Sequence, residues 1–125
     1  MSIPTRFTPN RTDAAGLPQP VQVVTGAEGD VTIPAGHGTV FITKATAATD
    51  LVLAQPSKDL NGGVLTIVTR TAQAHVITAG SGTFDGTNNT ATYAAAIGNT
   101  LELRALDGAW TIALGGTTGV TLSDV

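Results

Sequence analysis

From Val21 to Leu122 the chain is a succession of short runs of Val, Ile, Leu and Thr, broken by clusters of Gly, Asp and Asn. β-Branched side chains suit a pleated, half-buried surface, and Gly, Asn and Asp suit turns. The pattern predicts strands at Val21–Thr25, Val31–Ile33, Thr39–Thr43, Asp50–Ala54, Val64–Thr69, His75–Thr78, Thr90–Ala94, Leu101–Leu106, Ala109–Leu114 and Val120–Leu122. The intervals leave no room for crossover helices. Mainly antiparallel pairing is therefore expected, and the fold class is all-β: an antiparallel sandwich or barrel, jelly-roll-like in character. Residues 91–97 are the one stretch that competes as a helix, but Thr92 and Tyr93 favour a strand running into a turn at Gly98-Asn99.

Residues 1–20 lack this pattern. Pro4, Pro9, Pro18 and Pro20 remove backbone donors and hold the chain extended, so the segment reads as an arm outside a single β-sandwich domain spanning 21–125. Ile3, Arg6, Phe7 and Arg11 give the arm apolar and charged anchors, and these four are the candidate contacts to a partner. A solvated tail is the simpler alternative.

The stretch LRALDGAWTIAL, residues 103–114, can be registered in detail. A two-residue type I′ turn at Asp107-Gly108 places Leu106 opposite Ala109, Ala105 opposite Trp110, Leu103 opposite Ile112 and Leu101 opposite Leu114. One face then carries Leu101, Leu103, Ala105, Trp110, Ile112 and Leu114, while Glu102, Arg104 and Thr111 share the other. Trp110 is thus expected to fill the core beside small Ala105. A second pattern is an echo between Ile33-Pro34-Ala35-Gly36-His37-Gly38-Thr39 and Ile77-Thr78-Ala79-Gly80-Ser81-Gly82-Thr83. Duplication and reuse of a simple Gly-x-Gly turn both explain it.

Composition adds constraints. Charged residues are 12% of the chain, against roughly 25% in ordinary soluble domains. Charge normally keeps sheet edges from pairing with other chains, so its scarcity points to a surface engaged by partners, most simply in a homo-oligomer. The net charge of −3 and the scattered basic residues Arg6, Arg11, Lys44, Lys58, Arg70 and Arg104 disfavour nucleic-acid binding. No cysteine is present, which excludes disulfides and thiolate metal sites. No stretch has the apolar length of a signal core or a membrane span, so a soluble product made in the cytoplasm is expected. The sequons at Asn10 and Asn88 are then read as chance.

Catalytic and ligand patterns are weak. His37 and His75 have no second ligand at i+2 or i+4, so no metal or other cofactor is expected. The run Asp85-Gly86-Thr87-Asn88-Asn89 lacks the later Gly and bidentate Glu of a calcium loop and reads as a turn bonded to its own backbone. Ser81 lies among glycines without the spacing of a nucleophile elbow, and Glu28 and Glu102 suggest no carboxylate pair, so no enzyme is expected. A carbohydrate-binding sandwich would need free aromatics. Of Phe7, Phe41, Phe84, Tyr93 and Trp110, both Phe41 and Trp110 lie in strongly alternating apolar strands, so few are free to form a platform.

The order of parts over about residues 62 to 122 carries a resemblance. LTIVTRTAQAH is followed by HVIT, a Gly/Asn loop with Phe84 before Asp85-Gly86, and an Ala-Thr-Tyr strand. Ile97-Gly98-Asn99, an L-x-L-x-A strand, Asp107-Gly108 and Ala109-Trp110 then follow. This half of the chain resembles a β-rich module of tailed-bacteriophage virion proteins, notably head decoration (cement) and head-fibre proteins. The resemblance implies a non-enzymatic structural protein, commonly a homotrimer, that binds the major capsid protein on the outer capsid surface and braces the shell. It also implies a virion location after synthesis in the host cytoplasm, with the Pro-rich arm as a strap. A tail-fibre or head-fibre module is the alternative, and a carbohydrate-binding sandwich the less favoured one.

Overall fold

A computed structural model of the chain describes residues 21–25, 29–31, 38–56 and 58–125. Ten strands are present among them: β1 Val21–Val24, β2 Gly29–Val31, β3 Gly38–Ile42, β4 Asp50–Leu53, β5 Val64–Thr69, β6 Val76–Ala79, β7 Thr90–Tyr93, β8 Thr100–Leu106, β9 Ala109–Thr118 and β10 Val120–Ser123. A single 3₁₀ turn at Lys58–Leu60 is the one helical piece among the described residues. The strands form two five-stranded sheets, ordered β1-β3-β5-β8-β9 and β10-β7-β6-β4-β2, packed as a sandwich. Each sheet ends in edge strands, so the structure is not a closed barrel.

The all-β sandwich is as expected, while the directions of pairing make its sheets mixed and correct the expectation of mainly antiparallel, jelly-roll-like pairing. Four of the eight pairings among the described residues are parallel: β1–β3, β3–β5, β2–β4 and β4–β6. The chain alternates between the sheets from β1 to β6, so the connection between two parallel neighbours is a strand of the opposite sheet. A parallel pair needs a crossover, and here a strand replaces the usual helix. The result is a flattened coil. Successive turns stack Val21 beside Thr39 beside Thr66 in the first sheet, and Gly29 beside Leu51 beside Ile77 in the second. The antiparallel strands β7 and β8 then cover β6 and β5, and β10 and β9 complete the two sheets. The Gly-x-Gly echo is not this repeating unit, because Gly38 opens a strand of the first sheet whereas Gly82 lies in the turn after β6.

Period-two alternation defines the core. Val40, Ile42, Leu65, Ile67, Leu101 and Leu103 point inward from the first sheet and meet Leu51, Leu53, Ile77, Ala91 and Tyr93 from the second. The β8–β9 hairpin has the expected register at Leu106–Ala109, Ala105–Trp110 and Leu103–Ile112. Asp107 and Gly108 both have positive φ, 52° and 78°, as a type I′ turn requires. Beyond Ile112 the register breaks. Leu101 pairs with Thr117 instead of Leu114, because β9 carries extra residues between Ile112 and Thr117 before resuming the ladder.

Two aromatic side chains tie the sheets together. Trp110, 3% exposed on β9, donates its indole N–H to the Ala54 carbonyl just after β4, at 2.9 Å. Tyr93 on β7 is fully buried and donates its hydroxyl to the Ile67 carbonyl on β5, at 2.7 Å. Both reach across the sandwich. Their rings fill volume, and their polar tips satisfy backbone carbonyls.

Trp110→Ala should cost about 3–5 kcal/mol in urea unfolding, the range for truncating a buried large aromatic. Tyr93→Phe keeps the ring and loses one hydrogen bond, so a cost of about 1 kcal/mol is expected. Native tryptophan fluorescence should be blue-shifted and protected from acrylamide; a red-shifted, freely quenched indole would contradict the burial of Trp110.

Candidate interaction surface

The two outer faces differ in chemistry, and that difference follows from the phase of each strand. On the first sheet, Val21 and Val23 of β1 are 55% and 52% exposed. The register sets Val23 beside Phe41 and Phe41 beside Val68, all pointing away from the core. These side chains form an apolar strip running from the β1 edge to the middle of the sheet. Thr39 and Thr66 lie alongside, next to Val21. Glu102 and Arg104 project from β8 on the same face, opposite Thr66 and Val64. One acid and one base, two residues apart, therefore border the strip.

The second sheet turns a hydroxyl-rich face outward. Thr78, Thr90 and Ser123 form one cross-strand row, continued by Val52, while Thr92 and Thr121 form the next, continued by Val76 and Asp50. Hydroxyls are easily hydrated, whereas a strip of Val and Phe is not. The first sheet's face is therefore the better candidate for burial against another protein surface.

The strip was not legible in the sequence because the run Val40-Phe41-Ile42 is apolar throughout and does not reveal its phase. The structure puts Val40 and Ile42 in the core and leaves Phe41 outside, half-exposed. Phe41 is thus not the core residue its strand suggested. Trp110, Tyr93 and Phe84 are buried, as a core role requires. The candidate arm contacts Ile3, Arg6, Phe7 and Arg11 lie outside the described residues, as does His37. The described chain begins at β1, the strand that also begins the strip.

The other candidate positions resolve into structural roles. Asp85 Oδ1 accepts from the backbone N–H groups of Asn88 at 2.7 Å and Thr87 at 3.0 Å, and Oδ2 accepts from Asn88 Nδ2 at 2.9 Å. These bonds, led by that from the Asn88 backbone, hold the carboxyl below its ordinary range. The loop uses its acid to close itself, as an Asx turn does. Phe84 is buried beneath it. Asn89 anchors the chain's end, with its side chain donating to the Val125 carbonyl and accepting from the Val125 N–H. No group of three His, Asp or Glu side chains is arranged to hold a metal among the described residues.

No helix among the described residues is long and apolar enough to cross a membrane. Comparison with protein-family models and with curated proteins finds no match to this chain.

Proposed function

We propose that the chain is a structural protein of a tailed-bacteriophage virion, a decoration or cement protein that self-associates and binds the outer capsid surface through many small contacts. The observation that carries this reading is the apolar strip Val21, Val23, Phe41 and Val68 on an otherwise weakly charged sandwich. Cementing needs no catalytic group. It needs a rigid body with a surface that gains from being covered, repeated on each copy so that weak contacts add by multivalency. A second copy is the natural occupant of the strip, since Glu102 and Arg104 on the same face let two copies offset each other's charges while the apolar side chains meet. A homotrimer is the assembly implied by the resemblance. The arm, through Ile3, Arg6, Phe7 and Arg11, is then the contact to the major capsid protein or to a neighbouring subunit.

A fibre module is favoured by one specific observation. The coil from β1 to β6 stacks parallel strands in the manner of a repeating fibre, and both sheets leave β1 and β2 as edges at the same end. The carbohydrate-binding reading is weakened, because Trp110, Tyr93 and Phe84 are inside the core and Phe41 is the sole aromatic on the outer faces among the described residues.

Electron microscopy of purified particles, together with the solution mass of the isolated protein, tests the assignment. Density on the capsid supports decoration, density on a tail or fibre supports the alternative, and a soluble monomer absent from every particle defeats both. Val21→Lys/Val23→Lys should weaken self-association at least about tenfold in sedimentation equilibrium, equivalent to about 1.4 kcal/mol. Thr121→Lys, on the opposite face, should leave it unchanged. Deleting residues 1–20 should abolish capsid binding while preserving the β-sheet circular dichroism spectrum; unchanged affinity would remove the arm from the interface.

A further inference from the structure

His75 belongs to a part of the molecule that the proposed function does not use. The coil passes from the first sheet to the second at one rim, through residues 43–49 after β3 and residues 70–75 after β5. These crossings are stitched to each other. Arg70 N–H donates to the Ile42 carbonyl at 2.8 Å, and Val76 N–H donates to the Thr49 carbonyl at 3.0 Å. Gln73 Nε2 donates to the Ala45 carbonyl at 2.9 Å, and the Thr71 hydroxyl to the Lys44 carbonyl at 2.7 Å. Fully buried between them is the His75 ring, with Nδ1 3.1 Å from the Thr49 backbone nitrogen and Nε2 2.9 Å from the Thr71 hydroxyl.

The donor inventory fixes the protonation state. A backbone N–H can only donate, so Nδ1 accepts from Thr49 and carries no proton. Thr71 has already given its hydroxyl proton to Lys44, so it accepts from Nε2–H. The Thr49 contact requires an unprotonated Nδ1 and the Thr71 contact places a proton on Nε2, so together they describe the neutral Nε2–H tautomer. A second proton on Nδ1 would face the Thr49 N–H donor to donor, in a place without water access. Burial holds the ring below the ordinary imidazole range, and Lys44 on the stacked crossing acts in the same direction. The other charged groups near this rim are Arg70, which opens its own crossing, and Asp50, exposed at the head of β4; Tyr93 of β7 meets His75 through its backbone N–H.

We propose that this rim is an acid-released latch, in which proton uptake by His75 breaks the Thr49 N–H···Nδ1 bond and frees crossing 43–49 from crossing 70–75 while the two sheets stay paired. The sign follows from linkage. The unfolded or opened ring, with a pKa of about 6.5, binds a proton more readily than the latched ring, so the latch is fully closed above that pH and loses stability as pH falls below it.

Amide hydrogen exchange of the full chain, corrected for intrinsic rates, is the test. Between pH 8 and pH 5 the Thr49 and Val76 amides should lose at least about tenfold in protection while Leu65 and Leu103 keep theirs. Nitrogen-correlated NMR of the ring should show the Nε2–H tautomer at pH 8. His75→Asn supplies an amide oxygen that accepts but does not titrate, so its protection should be independent of pH. Lys44→Gln, which leaves the ring intact but removes one of the two causes holding it below the ordinary range, should shrink the loss between pH 8 and pH 5 and serves if the Asn variant does not fold. Unchanged Thr49 protection at pH 5, an equal loss at Leu65 and Leu103, or a pH 8 ring in the Nδ1–H tautomer would each overturn the latch.

Discussion

The constraint on which this fold rests is that a chain alternating between two sheets must carry its polar backbone across the rim at every turn of the coil. A crossing cannot bond within itself as a helix does, and where it turns inward, as at Thr49 and His75, a peptide group left unpaired costs about as much as a lost hydrogen bond. The chain meets the demand by stacking the crossings. Thr43 N–H reaches the Val24 carbonyl, Arg70 reaches Ile42, and Thr71, Gln73 and His75 extend bonding to carbonyls and N–H groups that the ladder no longer aligns. Thr and Gln at these positions act as backbone substitutes. They let parallel strands exist here without helices.

The rim also explains why some of the fold was legible in the sequence and some was not. Strand positions come from local chemistry: nine of the ten expected strands are present with ends moved by a few residues, and the tenth, Val31–Ile33, meets β2 only at Val31, its other two residues lying outside the described ones. The hairpin at Asp107-Gly108 was readable because its turn demands positive φ at two residues and thereby sets the register up to Ile112. Strand direction is different. It depends on which sheet each strand joins, and a run such as Asp50–Leu53 looks the same whether its neighbour is parallel or antiparallel. The bulge in β9 was not readable, because the break in register beyond Ile112 depends on how β9 meets β8 across the ladder. His75 reads as an ordinary strand-start residue until the fold brings Thr49 and Thr71 to its two nitrogens.

Trp110 and Tyr93 make the two sheets one body rather than two adjacent layers. Each extends from a strand of one sheet to a backbone carbonyl of the other, so sliding the sheets apart strands a carbonyl as well as opening a void. The same burial that makes them useful inside removes them from any binding surface. Among the described residues this leaves Phe41, with its valine neighbours, as the aromatic centre of the outer faces.

A surface so poor in charge also limits how recognition can work. Exposed ion pairs contribute little individually, and among the described residues this face offers only Glu102 and Arg104 beside the strip. Affinity from such a surface must come from apolar burial and from repetition. A few valines and one phenylalanine remove only modest area from water per copy, so a single contact would be weak. Repeated at fixed geometry, the same contact becomes strong provided the body does not flex between contacts. In the proposed assembly, the Trp110 and Tyr93 bonds between the sheets and the stitched rim would resist that flexing, which links the interior of the sandwich to the use of its exterior.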